Sequence, residues 1–416
     1  MLQRVQLRSK SLADYGPIVG DALIAEIQRL AEPLRGARVL HINATAYGGG
    51  VAEMLYTLVP LMRDVGLEAE WQVIAGADEF FNVTKAMHNG LQGMDLALTE
   101  EMKAIYRRYN EMNARQMGGE YDFIVVHDPQ PAALPHFRDR RGGRRWLWRC
   151  HIDTSHPNPD FWSFLAPYLG DYDAGIFTMR DYVGPGVAFP HLAIITPTID
   201  PLSDKNRPLP LEEARRMVAH FGLDLSRPLL LQVSRFDPWK DPLGVIDAYR
   251  LVRAEVPDVQ LALVGSMASD DPEGWFYYDR TLRRAGEDFD IHVLHNFHGV
   301  GSPEVNAFQT VADVVIQKSL REGFGLVVTE ALWKEKPVVG GRVGGIPLQV
   351  LDGQTGYLVD SVEACAERCL ELLRDPARRA EMGRAGREHV RQHFLSPHLL
   401  RNYLRLFVAL VGPTPE

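Results

Sequence analysis

Cysteine is scarce: Cys150, Cys365 and Cys369 are the only three in 416 residues. An odd, sparse set excludes a disulfide framework and fits a reducing compartment, so the expected location is cytoplasmic. Cys365 and Cys369 stand four apart in an expected helix, but no histidine or second cysteine pair follows at zinc spacing. Two half-buried small side chains are therefore expected there rather than a metal site. Long apolar runs are missing too, since none reaches the ~18 residues that a membrane-spanning helix needs. Residues 1–16 are polar and charged, without the apolar stretch of a secretory signal. Basic charge is short: 45 Lys and Arg against 54 Asp and Glu leave a net −9. That excludes a duplex-binding surface while allowing a local basic pocket. Short-period repeats and low-complexity tracts are absent as well.

What is present is alternation. Apolar runs of strand length at 37–42, 71–74, 123–126, 146–151, 174–177 and 193–195 are separated by helical patterns such as 51–65 and 99–112. Around 196–210 the texture changes to a proline-rich connection with Pro197, Pro201, Pro208 and Pro210. Strands then resume at 229–233, 260–264, 291–294, 313–317, 337–339 and 356–359. Helices are expected at 242–255, 275–286, 325–334, 361–374, 377–393 and 396–411. Such alternation implies parallel sheets covered on both faces. The fold class is therefore α/β, with two doubly wound Rossmann-like domains facing across a cleft. Residues 1–200, joined by the C-terminal helix 396–416, form the first domain, and 201–395 form the second. The helix at 396–411 is amphipathic, and packing on a domain is expected over lying on a membrane. Doubly wound sheets bind ligands at strand carboxyl ends.

Four groups of residues at such ends carry candidate chemistry. Gly48-Gly49-Gly50 follows a strand and opens a helix, so its amides are suited to an anion, although a tight turn alone would also use glycine. Arg235 and Lys240 lie in SRFDPWK after the first strand of the second domain, where two fixed cations would neutralise a departing diphosphate. By themselves they would pass for solvated surface cations. In EGFGLVVTE, Glu322 and Glu330 bracket a glycine-hinged turn, Gly323-Phe324-Gly325, into a helix whose first amides, Leu326 and Val327, suit a phosphate. His127-Asp128 and His151-Ile152-Asp153 end two strands of the first domain and offer acid–base or hydroxyl-binding groups. Asp171-Tyr172-Asp173 has a carboxylate–x–carboxylate form but precedes a strand, so a solvated turn is expected there and no metal site is assigned.

Arg235 with Lys240, and Glu322 with Glu330, resemble the signature of retaining glycosyltransferases with two Rossmann-like domains, known as glycosyltransferase family 4 and the GT-B fold. GGIP at 344–347 and DGQTGYLV at 352–359 fit the same family. The runs HINATAYGGGVAE (41–53), EFFNVTK (79–85), HDPQPAA (127–133), WRCHID (148–153), SRFDPWK (234–240) and DPEGW (271–275) narrow the resemblance to the trehalose glycosyltransferring synthases. That resemblance implies a reversible transfer of glucose, with retention, from ADP-glucose or UDP-glucose to free glucose. The products are α,α-trehalose and the nucleoside diphosphate, and no cofactor is required. It implies that Arg235 and Lys240 hold the diphosphate, Glu322 the donor glucose and Glu330 the ribose. Gly49 and Gly50 line the phosphate and acceptor side, His151 contacts the donor near its reacting carbon, and Asp128 sits by the acceptor. It also implies a homodimer, with no nucleic-acid partner. The alternatives are a trehalose phosphorylase, a sugar-nucleotide epimerase or a sugar-binding protein of the same fold.

Overall fold

The computed structural model describes residues 2–47, 49–138, 144–267 and 272–412. The chain divides into two compact units: Met1–Thr198 with Ser396–Glu416, and Ile199–Leu395.

The first unit is built on a seven-stranded sheet: β1 (Gln3–Arg4), β2 (Arg38–Asn43), β3 (Glu68–Val73), β4 (Phe123–His127), β5 (Arg145–Arg149), β6 (Ala174–Phe177) and β7 (His191–Ile194). Their spatial order is β1-β3-β2-β4-β5-β6-β7, and β1 alone is antiparallel. In β4 all five residues are buried, as befits a parallel strand covered on both faces. Phe123 and Val125 enter one core with the C-terminal helix Ser396–Val411, while Ile124 and Val126 enter the other with Trp146, Trp148 and Phe161. That helix buries Leu400, Tyr403, Leu404 and Phe407, and Phe407 stacks on Phe123 with ring centroids 4.2 Å apart. Its amphipathic face is thus spent on this unit. No helix among the described residues is long and apolar enough to cross a membrane.

Two strand expectations shift for physical reasons. The strand expected at 71–74 begins at Glu68, because β3 alternates exposed and buried residues and its polar Glu68, Glu70 and Gln72 break the apolar run. The strand expected to reach His151 ends at Arg149, because the His151 amide leaves the ladder and donates to the Asp128 carboxylate.

The second unit carries β8 (Leu229–Val233), β9 (Gln260–Gly265), β10 (Ile291–His295), β11 (Val314–Gln317), β12 (Val338–Gly341) and β13 (Gly356–Val359). All are parallel, in the order β10-β9-β8-β11-β12-β13. Cys365 and Cys369 are fully buried in its core, not half-buried. In each unit the strand order reverses once about its first central parallel strand. In the first unit that point lies between β2 and β4, and in the second between β8 and β11. Loops diverge there, leaving room for a ligand at the carboxyl edge.

Candidate active site

In the second unit, the loops after β8 and β11 meet at the reversal point. Asp237 Oδ1 accepts the Trp239 and Lys240 amides at 3.0 and 3.1 Å, which folds the first loop into one helical turn. Asp241 follows with φ 50°, caps the helix Pro242–Glu255 through the Gly244 amide, and ion-pairs with Lys318 from the second loop. The carbonyl of Trp239 accepts the Leu320 amide at 2.7 Å. So clamped, the loops bring Lys240 Nζ to 2.7 Å from both oxygens of Glu322. Ser319 Oγ and Gln317 Nε2 also donate to Glu322 Oε2, at 3.1 and 3.4 Å. Arg235 stays exposed (side chain 69%) and ion-pairs with Asp237 at 3.1 Å.

The turn after Glu322 needs its glycines. Gly325 has φ 82°, and a Cβ there would lie 3.1 Å from Glu322 Cγ. It opens the helix Leu326–Trp333 with no side-chain cap, so the first-turn amides of Leu326 and Val327 are not engaged by a capping side chain. Behind the turn, the Gly345 amide donates to the Gly323 carbonyl at 3.1 Å, and Gln349 Nε2 donates to the Phe324 carbonyl. Phe324 itself is buried. Glu330, four residues into the helix, is only 1% exposed. Its Oε2 accepts from Gln309 Nε2 at 3.1 Å, and its Oε1 lies 3.4 Å from Lys205 Nζ. Burial lowers the neighbouring Lys334 to about 7, and its ammonium donates to Asn206 Oδ1 and Gln309 Oε1.

In the first unit, the loops after β2 and β4 flank the other reversal point. Gly48 lies outside the described residues, as does Asp271 of the DPEGW run. Gly49, with φ 76°, and Gly50 begin the helix Gly49–Asp64. Asp128 has φ 65°, a strained value for a residue with a side chain. Its Oδ1 accepts the His151 amide at 2.8 Å and its carbonyl accepts Trp148 Nε1 at 3.0 Å, which fixes the turn. Burial raises the Asp128 carboxyl to about 6, against the lowering effect of the His151 amide and the Arg149 charge. Beside it runs a row of rings. His41 Nδ1 lies 3.0 Å from His127 Nε2, and His127 Nδ1 lies 3.0 Å from His151 Nε2. Desolvation holds His41 down at about 3 and the other two well below the usual imidazole range, with help from Arg149.

Sequence reasoning placed these residues at strand ends but missed three partners: His41, which sits inside β2, buried Arg149, and the Gln317-Lys318-Ser319 stretch that ends β11 and follows it. Polar residues closing otherwise apolar strands were the available signal. Among the described residues no group of three or more His, Cys, Asp or Glu is arranged to hold a metal ion. One pole of the second unit thus offers cations, a carboxylate and free-standing helix amides. One pole of the first offers a carboxylate and neutral imidazoles. The former set is suited by itself to a phosphate group, and the latter by itself to sugar hydroxyls.

Comparisons with known proteins agree with this chemistry. The family described as "Trehalose synthase, N-terminal domain" matches residues 41–184, and "Glycosyl transferases group 1" matches residues 215–389. A trehalose synthase of Rubrobacter xylanophilus is 59% identical over 99% of this chain and 100% of its own length. One from Thermococcus litoralis is 50% identical over 95% of this chain and 96% of its own. Among solved structures, a UDP-forming α,α-trehalose-phosphate synthase from Burkholderia xenovorans is similar with a TM-score of 0.73. It is 18% identical and covers 91% of this chain and 100% of its own. At that identity the likeness speaks for the two-sheet GT-B fold alone.

Proposed function

The chain belongs to the trehalose synthase family of group 1 glycosyltransferases, and from that premise we propose that it transfers glucose from ADP-glucose or UDP-glucose to free glucose. The product is α,α-trehalose, the nucleoside diphosphate leaves, and the reaction runs in both directions. The observation that carries this reading is the meeting of Lys240 and Glu322 beside Arg235 and the uncapped helix Leu326–Trp333.

In this reading Arg235, Lys240 and the amides of Leu326 and Val327 take the diphosphate, whose charge grows as the bond to the anomeric carbon breaks. The electron pair of that bond goes to the departing phosphate oxygen. The acceptor hydroxyl attacks from the same face and gives its proton to that oxygen, so the configuration is retained. Glu322 accepts donor-glucose hydroxyls, released from Lys240 as the diphosphate engages the ammonium. Asp128 accepts from the acceptor glucose, Gly49 and Gly50 line its approach, and His151 stands at the donor ring. Glu330 takes the ribose hydroxyls once the Lys205 side chain, 20% exposed, yields its Oε1. The protein then supplies position and fixed charge.

The test is product identification. ADP-glucose and UDP-glucose are each incubated with and without glucose. α,α-Trehalose and one nucleoside diphosphate per trehalose, formed only with glucose, support the reading. An isomerised sugar nucleotide without acceptor, or no turnover with either donor, overturns it.

A further inference from the structure

Resting on the role proposed above for His151 at the donor sugar, we propose that His127 and His41 are positioning residues that lock His151 as a neutral imidazole presenting an N–H at Nδ1. Three neutral imidazoles carry three N–H protons, and the two ring-to-ring contacts use two of them. The third sits at one end of the row, on His41 Nε2 or on His151 Nδ1. These states exclude each other, so His41 chooses the face that His151 shows.

The far end decides. His41 is fully buried, and its Nε2 has no hydrogen-bond partner among the described residues. An orphaned buried N–H is rarer in proteins than an unsatisfied acceptor, so the bare lone pair belongs on His41 Nε2. His41 Nδ1 then donates to His127 Nε2, His127 Nδ1 donates to His151 Nε2, and the third proton falls on His151 Nδ1. That atom has no partner among the described residues.

The surroundings keep the row neutral. Arg149, on β5, is 1% exposed, and all three of its guanidinium nitrogens lack hydrogen-bond partners among the described residues. Its charge opposes a second cation at His127 and His151. Tyr403, from the C-terminal helix, sets its ring edge-on to His41 with centroids 5.8 Å apart. Asp128 spends one oxygen on the His151 amide, and the Cys150 thiol, raised by burial, is neutral. Asp153 turns its Oδ1 to Ser155. The chemistry explains the need. As the anomeric bond breaks, positive charge spreads over the sugar ring, and an imidazolium beside it would raise the barrier. A neutral N–H still orients a sugar oxygen.

The experiment uses full-length protein labelled with 15N-histidine, titrated from pH 5 to 9 without substrate, with His151 assigned through His151→Asn. Nitrogen shifts distinguish the tautomers directly. The expected result is a non-titrating His151 with its proton on Nδ1. In His127→Phe, burial and Arg149 still keep His151 from titrating, but nothing donates to its Nε2, so the tautomer with the proton on Nε2 should appear in the nitrogen shifts. There kcat should fall roughly tenfold to a hundredfold, the scale for losing a partner that orients an imidazole. His41→Asn, which keeps a donor where Nδ1 was, should lose less than His41→Leu. If His127→Phe does not fold, the His41 pair carries the comparison. A wild-type His151 that titrates between pH 5 and 8 or carries its proton on Nε2 overturns the proposal, as do unchanged His151 shifts in the variants. The spectra need no turnover, so failure to make trehalose would remove the proposed reaction while leaving the lock standing.

Discussion

Lys240 holds both carboxylate oxygens of Glu322 at 2.7 Å, across 82 residues of sequence. Both side chains are largely buried, at 16% and 7% exposure, so each is the other's main compensation. Lys240→Ala is expected to cut turnover by about 10²–10³-fold, the scale for removing one group that stabilises a developing anion. It should also lower Tm, because removing one partner of a buried ion pair costs about 3–5 kcal/mol. Adding Glu322→Gln to that variant should restore Tm without restoring turnover. Arg235→Ala should lose similar turnover at unchanged Tm, since its side chain is exposed. Calorimetry with steady-state kinetics checks both, and near-normal turnover in the two single variants would defeat the assignment.

Glu330 tests whether a buried carboxylate still meets the nucleotide. Glu330→Gln keeps shape and the contact with Gln309 but removes the charge that Lys205 answers. If ribose hydroxyls bind here, KM for the sugar nucleotide should rise roughly tenfold or more, the value of a charge-assisted hydrogen bond of about 1.5–3 kcal/mol, with kcat little changed. A lowered Tm with both constants intact would make the residue purely structural.

Asp128 gives a pH signature. Its carboxyl is raised to about 6 by burial, so it is ionised above that pH and neutral below. As an acceptor of a glucose hydroxyl it works ionised, so kcat/KM for glucose should fall as pH drops through about 6. Asp128→Asn should abolish that inflection. The stability sign is opposite to the usual carboxylate case. A folded value above the unfolded ~3.9 contributes stability that is present below ~3.9 and lost as pH rises through about 6. Asp128→Asn should therefore gain Tm relative to wild type at pH 8 more than at pH 5. The depressed histidines act the other way: their contribution is present above ~6.5 and fades as pH falls. Melting curves across pH separate the two.

In the proposed reading, fixed cations at Arg235 and Lys240 take the place of a divalent ion beside the diphosphate. Activity is expected to survive a chelator such as EDTA, and loss restored by added Mg2+ would refute this. Trehalose incubated with ADP or UDP should regenerate the sugar nucleotide. Trehalose with inorganic phosphate should give no glucose 1-phosphate, whose appearance would favour a phosphorylase.

Local patterning carried much of the fold. The strands Leu229–Val233 and Gly356–Val359 and the helices Pro242–Glu255 and Ser396–Val411 stand where apolar period and capping place them. Elements with mixed faces blurred, as β3 did, because an edge-side strand needs only one apolar face. At the site, residues after strand ends were legible because parallel strands deliver their following loops to one edge. Their partners were not legible. Gln317 and Ser319 carry no local signal of a site until Glu322 folds back onto them, and nothing in the pattern of Arg145–Arg149 foretells that Arg149 is buried.

By itself, then, the sequence determined the alternation of strand and helix, the loops that carry charge, and the glycines that let those loops turn. Tertiary structure alone decided which loops are neighbours. His41 and His127 lie 86 residues apart, and His127 and His151 lie 24 apart, yet they form one row. Lateral strand order depends on packing across whole sheets, which no window of local periodicity contains.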